Sequence, residues 1–437
     1  MKANLYLDFH VLQTVPPSCV NRDDTGSPKT AVYGGVTRAR VSSQAWKHEM
    51  RVMFRNLLEP EQCGIRTKHL PEELAKRISA LDRTANADEL AKAVLSLLGI
   101  GIDSKDENKT KVLLFVSQKQ LDALAEFAVK NGRDAKALER RIAEVSPGIN
   151  AHKVTKAVLK ESGIIVGKDG DAVFLASQDQ FDAMVRQAEL VDIGDKGTKK
   201  KSKKSDKAST NMQEDCVEAL SANPSVDIAL FGRMLAEVEE LRHNAAAQVA
   251  HSISTHAVHN EYDYFTAVDD IPEKGAAYLD TTEFNSSTLY RYATVSVREL
   301  ADYLGADTPA AVRCFAEAFI RSMPTGRQHP FANRTMPDFV YVALRRDQPV
   351  NLCGAFEKPI TAGKGGYVEP SVKALAQYAE EKVYKPFDLA PECAWTVSGY
   401  TIPKECTEFA KSKAVSLTAF LADVESYVEN ALDSGVI

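Results

Sequence analysis

The chain has 437 residues, 44% of them hydrophobic, enough for a substantial core and for two or three domains of ordinary size. A formal charge of −6 by itself argues mildly against a nucleic-acid partner, no stretch approaches a membrane span, and MKANLYLDFHVLQ places Asp8 and His10 too early for a signal peptide. Seven cysteines, at 19, 63, 216, 314, 353, 393 and 406, form no CxxC pair, so neither a disulfide framework nor a thiolate zinc site is expected and a reducing cytoplasm fits.

In chain order, Leu5, Leu7, Phe9 and Val11 alternate with Tyr6, Asp8 and His10, the period of a strand with one buried face. Pro16, Pro17 and the run Asn21 to Gly26 break that pattern, and turn formers continue to Gly34-Gly35 before a second strand, Arg38 to Val41. Ser42 or Ser43 can cap a helix that carries Trp46, Met50, Met53, Phe54 and Leu57 on one face and Lys47, Arg51 and Arg55 on an adjacent one. From 59 to 225 the composition changes to Ala, Leu, Glu and Lys at helical spacing, which predicts an inserted, mainly helical subdomain. Within it LLFVSQKQLDALA (113–125) resembles VFLASQDQFDAMV (173–185), each a short strand followed by a capped helix. That pattern reads as a local duplication, since two copies are too few for a solenoid. The lysine-rich run 194–210 has Ala208 as its one apolar residue and predicts a flexible loop. Strand signals return at Asp227–Met234, Gln248–Val258, Tyr290–Val297 and Phe339–Leu344, interleaved with helices near 308–322, 371–383 and 408–432. Strands on both sides of a helical insert predict one discontinuous α/β (α+β) domain, compatible with a ferredoxin-like sheet.

Charge distribution says more than the net value. From Arg22 to Arg55 seven basic residues stand against Asp23, Asp24 and Glu49, a surplus of +4 within an acidic chain, and this marks a candidate anion-facing surface. Residues four apart on a helix rise by about 6 Å, near a phosphate spacing, so Lys47, Arg51 and Arg55 can follow a nucleic-acid backbone or simply form a solvated face. Arg38 and Arg40 share one side of their strand. Ser42 and Gln44 can meet a phosphate at the helix start while also capping it. Gly34-Gly35 lacks a following GK[ST]; it is a tight turn, or a place where backbone approaches a ligand closely. His251, His256 and His259 do not converge as metal ligands, because the first two face opposite ways on a strand and lie about 140° apart on a helix. Asp23-Asp24 can bind Mg²⁺ and assist phosphodiester cleavage, or satisfy local amides and pair with Arg22. No cofactor is expected.

The stretch PSCVNRDDTGSPKTAVYGGVTRARVSSQAWKHEMR closely resembles the start of the CasC family, the backbone subunit of type I-E CRISPR Cascade. DIALFGRM (227–234), HSISTHAV (251–258), DYFTAVDD (263–270), LYRYATV (289–295) and AFEKP (355–359) agree in the same order, and the likeness fades in the insert. The resemblance implies a hand-like molecule with an RRM-like palm at 1–58 and 226–437, helical fingers at 59–225 and a thumb hairpin at about 258–288. It implies a non-catalytic subunit that lines up head-to-tail with copies of itself along the CRISPR guide RNA, beside other Cascade subunits, and presents the RNA to target DNA. By the same resemblance Arg22, Lys29, Arg38, Arg40, Ser42, Gln44, Lys47 and Arg51 contact the RNA. By the resemblance Met234, Tyr264, Phe265, Thr266 and Val268 meet its bases, where aromatics can wedge between unstacked nucleotides; from the residues alone, aromatics and a methionine at this spacing read equally as core. His48 stands where a basic residue is common in the family. Related backbone subunits of type III complexes cut RNA with a loop aspartate, so the alternative is a metal-dependent RAMP-type ribonuclease using Asp23 and Asp24.

Overall fold

The first strand, Tyr6–Ser18, is buried along both of its faces, whereas its alternating sequence predicts one. Asp8 and His10 explain the difference: both are almost fully buried, because helices cover the second face of the sheet and neighbouring side chains satisfy the polar groups there. The computed structural model describes residues 3–164, 166, 171–192, 203–235, 238–268, 270–271 and 276–437. Backbone contacts divide the chain into one unit of Met1–Pro60, Ala229–Phe231 and Ala245–Ile437 and another of Glu61–Ile228 and Gly232–Asn244.

The strands of the first unit are β1 (Tyr6–Ser18), β2 (Thr30–Tyr33), β3 (Val36–Val41), β4 (Ala247–Val249), β5 (Ser252–Ser254), β6 (Glu261–Val268), β7 (Ala276–Ser296), β8 (Phe339–Arg345), β9 (Cys393–Ser398) and β10 (Lys413–Ala414). They form one sheet in the order β10-β9-β8-β1-β7-β5-β3-β2, with β4 also on β7 and β6 on its first half. β1 pairs antiparallel with β7, Phe9 opposite Ala293, and with β8, Phe9 opposite Val342. Helix α1 (Ser43–Leu57) lies between β1 and β4 in the chain, and α2 (Thr308–Arg321) between β7 and β8. The inner order β8-β1-β7-β4 with two interleaved helices is the ferredoxin-like arrangement, an α+β fold. Phe9 reaches Phe315 and Phe319 of α2 at ring-centroid distances of 5.5 and 5.8 Å, so α2 packs on the odd-numbered face of β1. On the even-numbered face Leu12, Tyr290, Tyr292 and Tyr341 pack with Val372, Leu375 and Ala376 of α3 (Val368–Tyr378). There Asp8 accepts from the Val350 amide (2.7 Å) and the Tyr292 hydroxyl (3.1 Å), and His10 Nδ1 lies 2.9 Å from the Tyr290 hydroxyl. A last helix, Leu417–Asp433, corresponds to the C-terminal part of the expected 408–432 helix.

The second unit is a tandem repeat. Ile65–Thr67 pairs with Leu114–Val116, and Gly132–Asp134 pairs with Val173–Leu175; each pair encloses two helices and is followed by a third. The matching segments at 113–125 and 173–185 are thus the closing strand and helix of two β-α-α-β-α modules, a larger duplication than their sequences alone indicate. Local chemistry repeats as well. Ser117 and Gln120 exchange side-chain-to-amide bonds of 3.0 and 3.1 Å at one helix start, and Ser177 and Gln180 do so at 3.3 and 2.8 Å at the other. Asn86 and Asn150 cap equivalent helices with the same backbone angles, φ −77° and ψ 83°. The modules have separate cores, one around Leu90, Val94, Leu121 and Leu124 and one around Leu138, Val158, Phe174 and Phe181.

Two expectations are corrected. Asp227–Met234 is not a strand: Val226–Phe231 is a short helix that ends at Gly232, whose φ of 75° turns the chain away. Nor is 194–210 a loop throughout, since a helix runs over Lys203–Ser221; the remainder, 194–202, lies outside the described residues.

Candidate nucleic-acid interface

Helix α1 begins at Ser42, whose side chain accepts from the Ala45 amide at 3.3 Å and whose own amide donates to Asn21 Oδ1 at 2.9 Å. Ser42 is 6% exposed, so it is a cap that ties the helix to the preceding loop. Trp46, Met50 and Phe54 are buried, and that burial turns the other stripe outward. Gln44 and Arg55 are exposed, and Lys47 and Arg51 are half-buried. Lys47 Nζ sits 5.6 Å from the Phe231 ring centroid, and burial lowers its pKa while the aliphatic stem packs. On the strand side Arg40 donates to the Thr30 carbonyl at 3.2 Å and lies 3.3 Å from His251 Nδ1. Arg22 is exposed, and Lys29, half-buried, follows the bridge between Arg22 and Pro28.

Arg38 departs from its expected place. It is fully buried, and its guanidinium donates to the carbonyls of Tyr33 (3.1 Å), Ser254 (3.0 Å), Phe356 (2.8 Å) and Glu357 (3.3 Å). This arginine braces the sheet edge: carbonyls engage four of its five N–H donors, and the group is buried away from any surface phosphate. The neighbouring Gly34, at φ 59°, is a close-approach glycine: a Cβ there would come within 1.7 Å of the Glu357 carbonyl oxygen. The approach is to the chain's own backbone.

Of the two aspartates, Asp23 folds its own loop. Its Oδ1 accepts from the Thr25 hydroxyl (2.7 Å), the Thr25 amide (2.9 Å) and the Ser27 amide (3.1 Å), and these bonds, the Thr25 hydroxyl foremost, lower its pKa. Asp24 is exposed. Among the described residues no group of three or more His, Cys, Asp or Glu is placed to hold a metal ion. His256 is a core group stacked 3.6 Å from the Tyr367 ring, and its Nε2 accepts from the Thr288 amide at 3.1 Å.

The hairpin of β6 and β7 supplies the apolar part of the surface. Residues 276–284 of β7 run about 30 Å at strand rise, beyond the pairing with β1, and their partner there is β6. All eight residues of β6 are exposed, among them Tyr262 (67%), Tyr264 (66%) and Val268 (77%). Tyr264 and Phe265 therefore belong to no core. As strand neighbours they point to opposite faces, with Tyr264 and Thr266 on one and Phe265 on the other beside Tyr278, 6.2 Å away between ring centroids. Tyr278 and Leu279, on the returning strand and about half exposed, escaped the sequence reading; their signal was the apolar Ala276–Leu279 run directly before the polar Asp280–Thr282. In the second unit Arg233 is buried, donating to the Leu241 (2.8 Å) and Leu220 (3.1 Å) carbonyls, and the next residue, Met234, is turned out to 90% exposure. Among the described residues no helix is long and apolar enough to cross a membrane.

A ferredoxin-like sheet with a basic helix and an exposed aromatic hairpin brings together cations of the kind that meet phosphates and rings of the kind on which unstacked bases can lie. Residues 7–147 and 130–423 match the family model described as CT1975-like protein, and the chain belongs to that family. The two matches overlap at 130–147, where the second module of the tandem repeat begins. No curated protein matches the sequence. A chain solved as "CRISPR RNA-guided surveillance complex, pre-nicking" is similar over 98% of this chain and 100% of its own, at 27% identity and a TM-score of 0.65. A second, from a "CRISPR RNA-guided surveillance complex", shares the fold at 24% identity and a TM-score of 0.56, covering 96% of this chain and 99% of its own.

Proposed function

We propose that this protein is a guide-RNA-binding backbone subunit of a CRISPR surveillance complex, of the CasC kind found in type I-E Cascade. The observation that carries this reading is the hairpin, which exposes Tyr264, Phe265 and Val268 on the same unit as the basic stripe of α1. Arg22, Lys29, Arg40, Gln44, Lys47 and Arg51 hold the RNA backbone without reading sequence, since guanidinium and ammonium groups meet phosphates. The hairpin, as a thumb, displaces a base at intervals, and Met234 adds an apolar contact. Copies of the chain associate head-to-tail, a heterologous contact that produces an open helix, alongside other subunits of the complex and, through the RNA, target DNA. The subunit holds RNA and does not cut it: Asp23, which a nuclease would need, is engaged by Thr25 and Ser27. Expression with a CRISPR array, purification and sequencing of bound RNA tests the reading. Recovery of unit-length guide RNA supports it, and recovery of no RNA, or of RNA cut in an Asp23-dependent manner, overturns it.

A further inference from the structure

The segment between α2 and β8, residues 322–338, is basic and held under strain. Arg327 and Ala332 adopt left-handed backbone angles, φ 45° and 48°, which non-glycine residues rarely do, and they flank the short helix Gln328–Phe331. Such a conformation persists only where surrounding bonds over-determine it. Here the Asn333 side chain, 2% exposed, donates to the Gly326 carbonyl at 3.2 Å. Thr335 Oγ1 donates to the Thr14 carbonyl at 2.7 Å, and the Asp338 side chain accepts from the Thr14 amide at 2.7 Å. The loop sits between the two parts of the proposed RNA surface. A Cβ on Gly326 would come 2.3 Å from the Val20 carbonyl oxygen, and Thr325 Oγ1 lies 3.4 Å from Glu49 of α1. On the other side Phe331 meets Phe284 of β7 at 5.9 Å, and Arg327 donates to the Thr282 hydroxyl at the hairpin base.

What this bridge displays is cationic. Arg334 is exposed and makes no hydrogen bond or ion pair among the described residues, His329 is exposed, and Asp338, the one carboxylate of the segment, is engaged by Thr14. We infer that the 325–334 loop is a further RNA-backbone contact, with Arg334 and Arg327 meeting phosphates where the strand passes from the basic face of α1 to the hairpin. This rests on the proposed RNA-binding role. It explains why a strained loop is pinned so firmly: a rigid donor binds with less ordering cost than a floppy one.

The test compares the wild-type protein, Arg334→Ala, Arg334→Lys and the Lys47→Ala/Arg51→Ala double variant, all binding one unstructured single-stranded RNA over a range of salt concentrations. Arg334→Ala is expected to weaken binding about two- to fivefold at moderate salt and to make the logarithmic salt dependence shallower by about 0.7, the value of one single-strand phosphate contact. Arg334→Lys should restore the slope. A wild-type slope in Arg334→Ala, with the double variant weakened, overturns this inference alone. No RNA binding by the wild-type protein overturns the RNA-binding reading itself.

Discussion

The Arg291 guanidinium carbon lies 3.8 Å from the centroid of the Trp46 ring, joining the strand that bears the hairpin to the helix that bears the basic stripe. Arg291 is buried, donates to Gln13 Oε1 at 2.6 Å and to the Phe319 carbonyl, and burial pulls its pKa down to about 9. Trp46 Nε1 in turn donates to Ser252 Oγ at 3.0 Å. The helix with the basic stripe and the strand of the hairpin are therefore fixed through one buried stack.

Removing that stack should loosen both parts together. Arg291→Ala leaves Gln13 and the Phe319 carbonyl without their buried donor and opens space beneath Trp46, a loss of about 3 kcal/mol. Arg291→Lys should recover little, because an ammonium cannot both stack and donate in two fixed directions. Urea unfolding measures this, and equal stability of all three proteins would contradict the role given to the stack.

The double variant Lys47→Ala/Arg51→Ala should bind unrelated RNAs on the order of tenfold more weakly and alike, with a salt slope lower by about 1.4 for two lost phosphate contacts. Binding assays on two RNAs of different sequence check it. A loss confined to one sequence would instead indicate base readout.

Much of this was legible in the sequence. The alternation of β1, the cap and two faces of α1, and the duplicated Ser-x-x-Gln starts at Ser117 and Ser177 all rest on local periodicity or capping, which one sequence displays. What it could not show was long-range. Arg38 alternates with Arg40 like a second surface cation, yet three of the four carbonyls that absorb it come from residues more than two hundred positions away. Asp8 and His10 read as a solvent face because the covering helix α3 lies over three hundred residues downstream. The Asp227–Met234 stretch was misread because its apolar run is too short for periodicity to separate strand from helix.

Asp8 makes stability depend on pH. Burial raises its pKa from 3.8 to about 6, so the folded state holds a proton that the unfolded state releases, and its contribution is present below pH 3.8 and lost as pH rises through 6. His10 acts oppositely: burial lowers it from 6.5 to about 3, so its contribution is present above pH 6.5 and lost as pH falls toward 3. Asp8→Asn, which keeps an acceptor for the Val350 amide, should raise stability at pH 8 by about 3 kcal/mol at most and change it little near pH 4. Thermal melts across that range decide it, and a constant difference at both ends would contradict the assignment.

At the start of the last helix of the second module, Ser177→Ala should cost about 1 kcal/mol by removing the acceptor for the Gln180 amide. Because that module has its own core, hydrogen exchange should rise across 173–188 and not across 114–131. Exchange rising equally in both would show that the repeats open as one.

The central claim is that the hairpin displaces guide bases while cations hold the backbone. Stacking on an exposed aromatic is worth about 1 to 3 kcal/mol per base, so the wedge should govern the shape of bound RNA more than its affinity, which phosphates dominate. The direct measurement is the reactivity of each guide nucleotide toward a base-specific chemical probe, in complexes of the wild-type protein and of Phe265→Ala/Val268→Ala. The account predicts regularly spaced reactive bases in the wild type and their loss in the double variant, with assembly and most RNA binding retained. Uniform reactivity in the wild type, or the same periodic pattern in both, would contradict it.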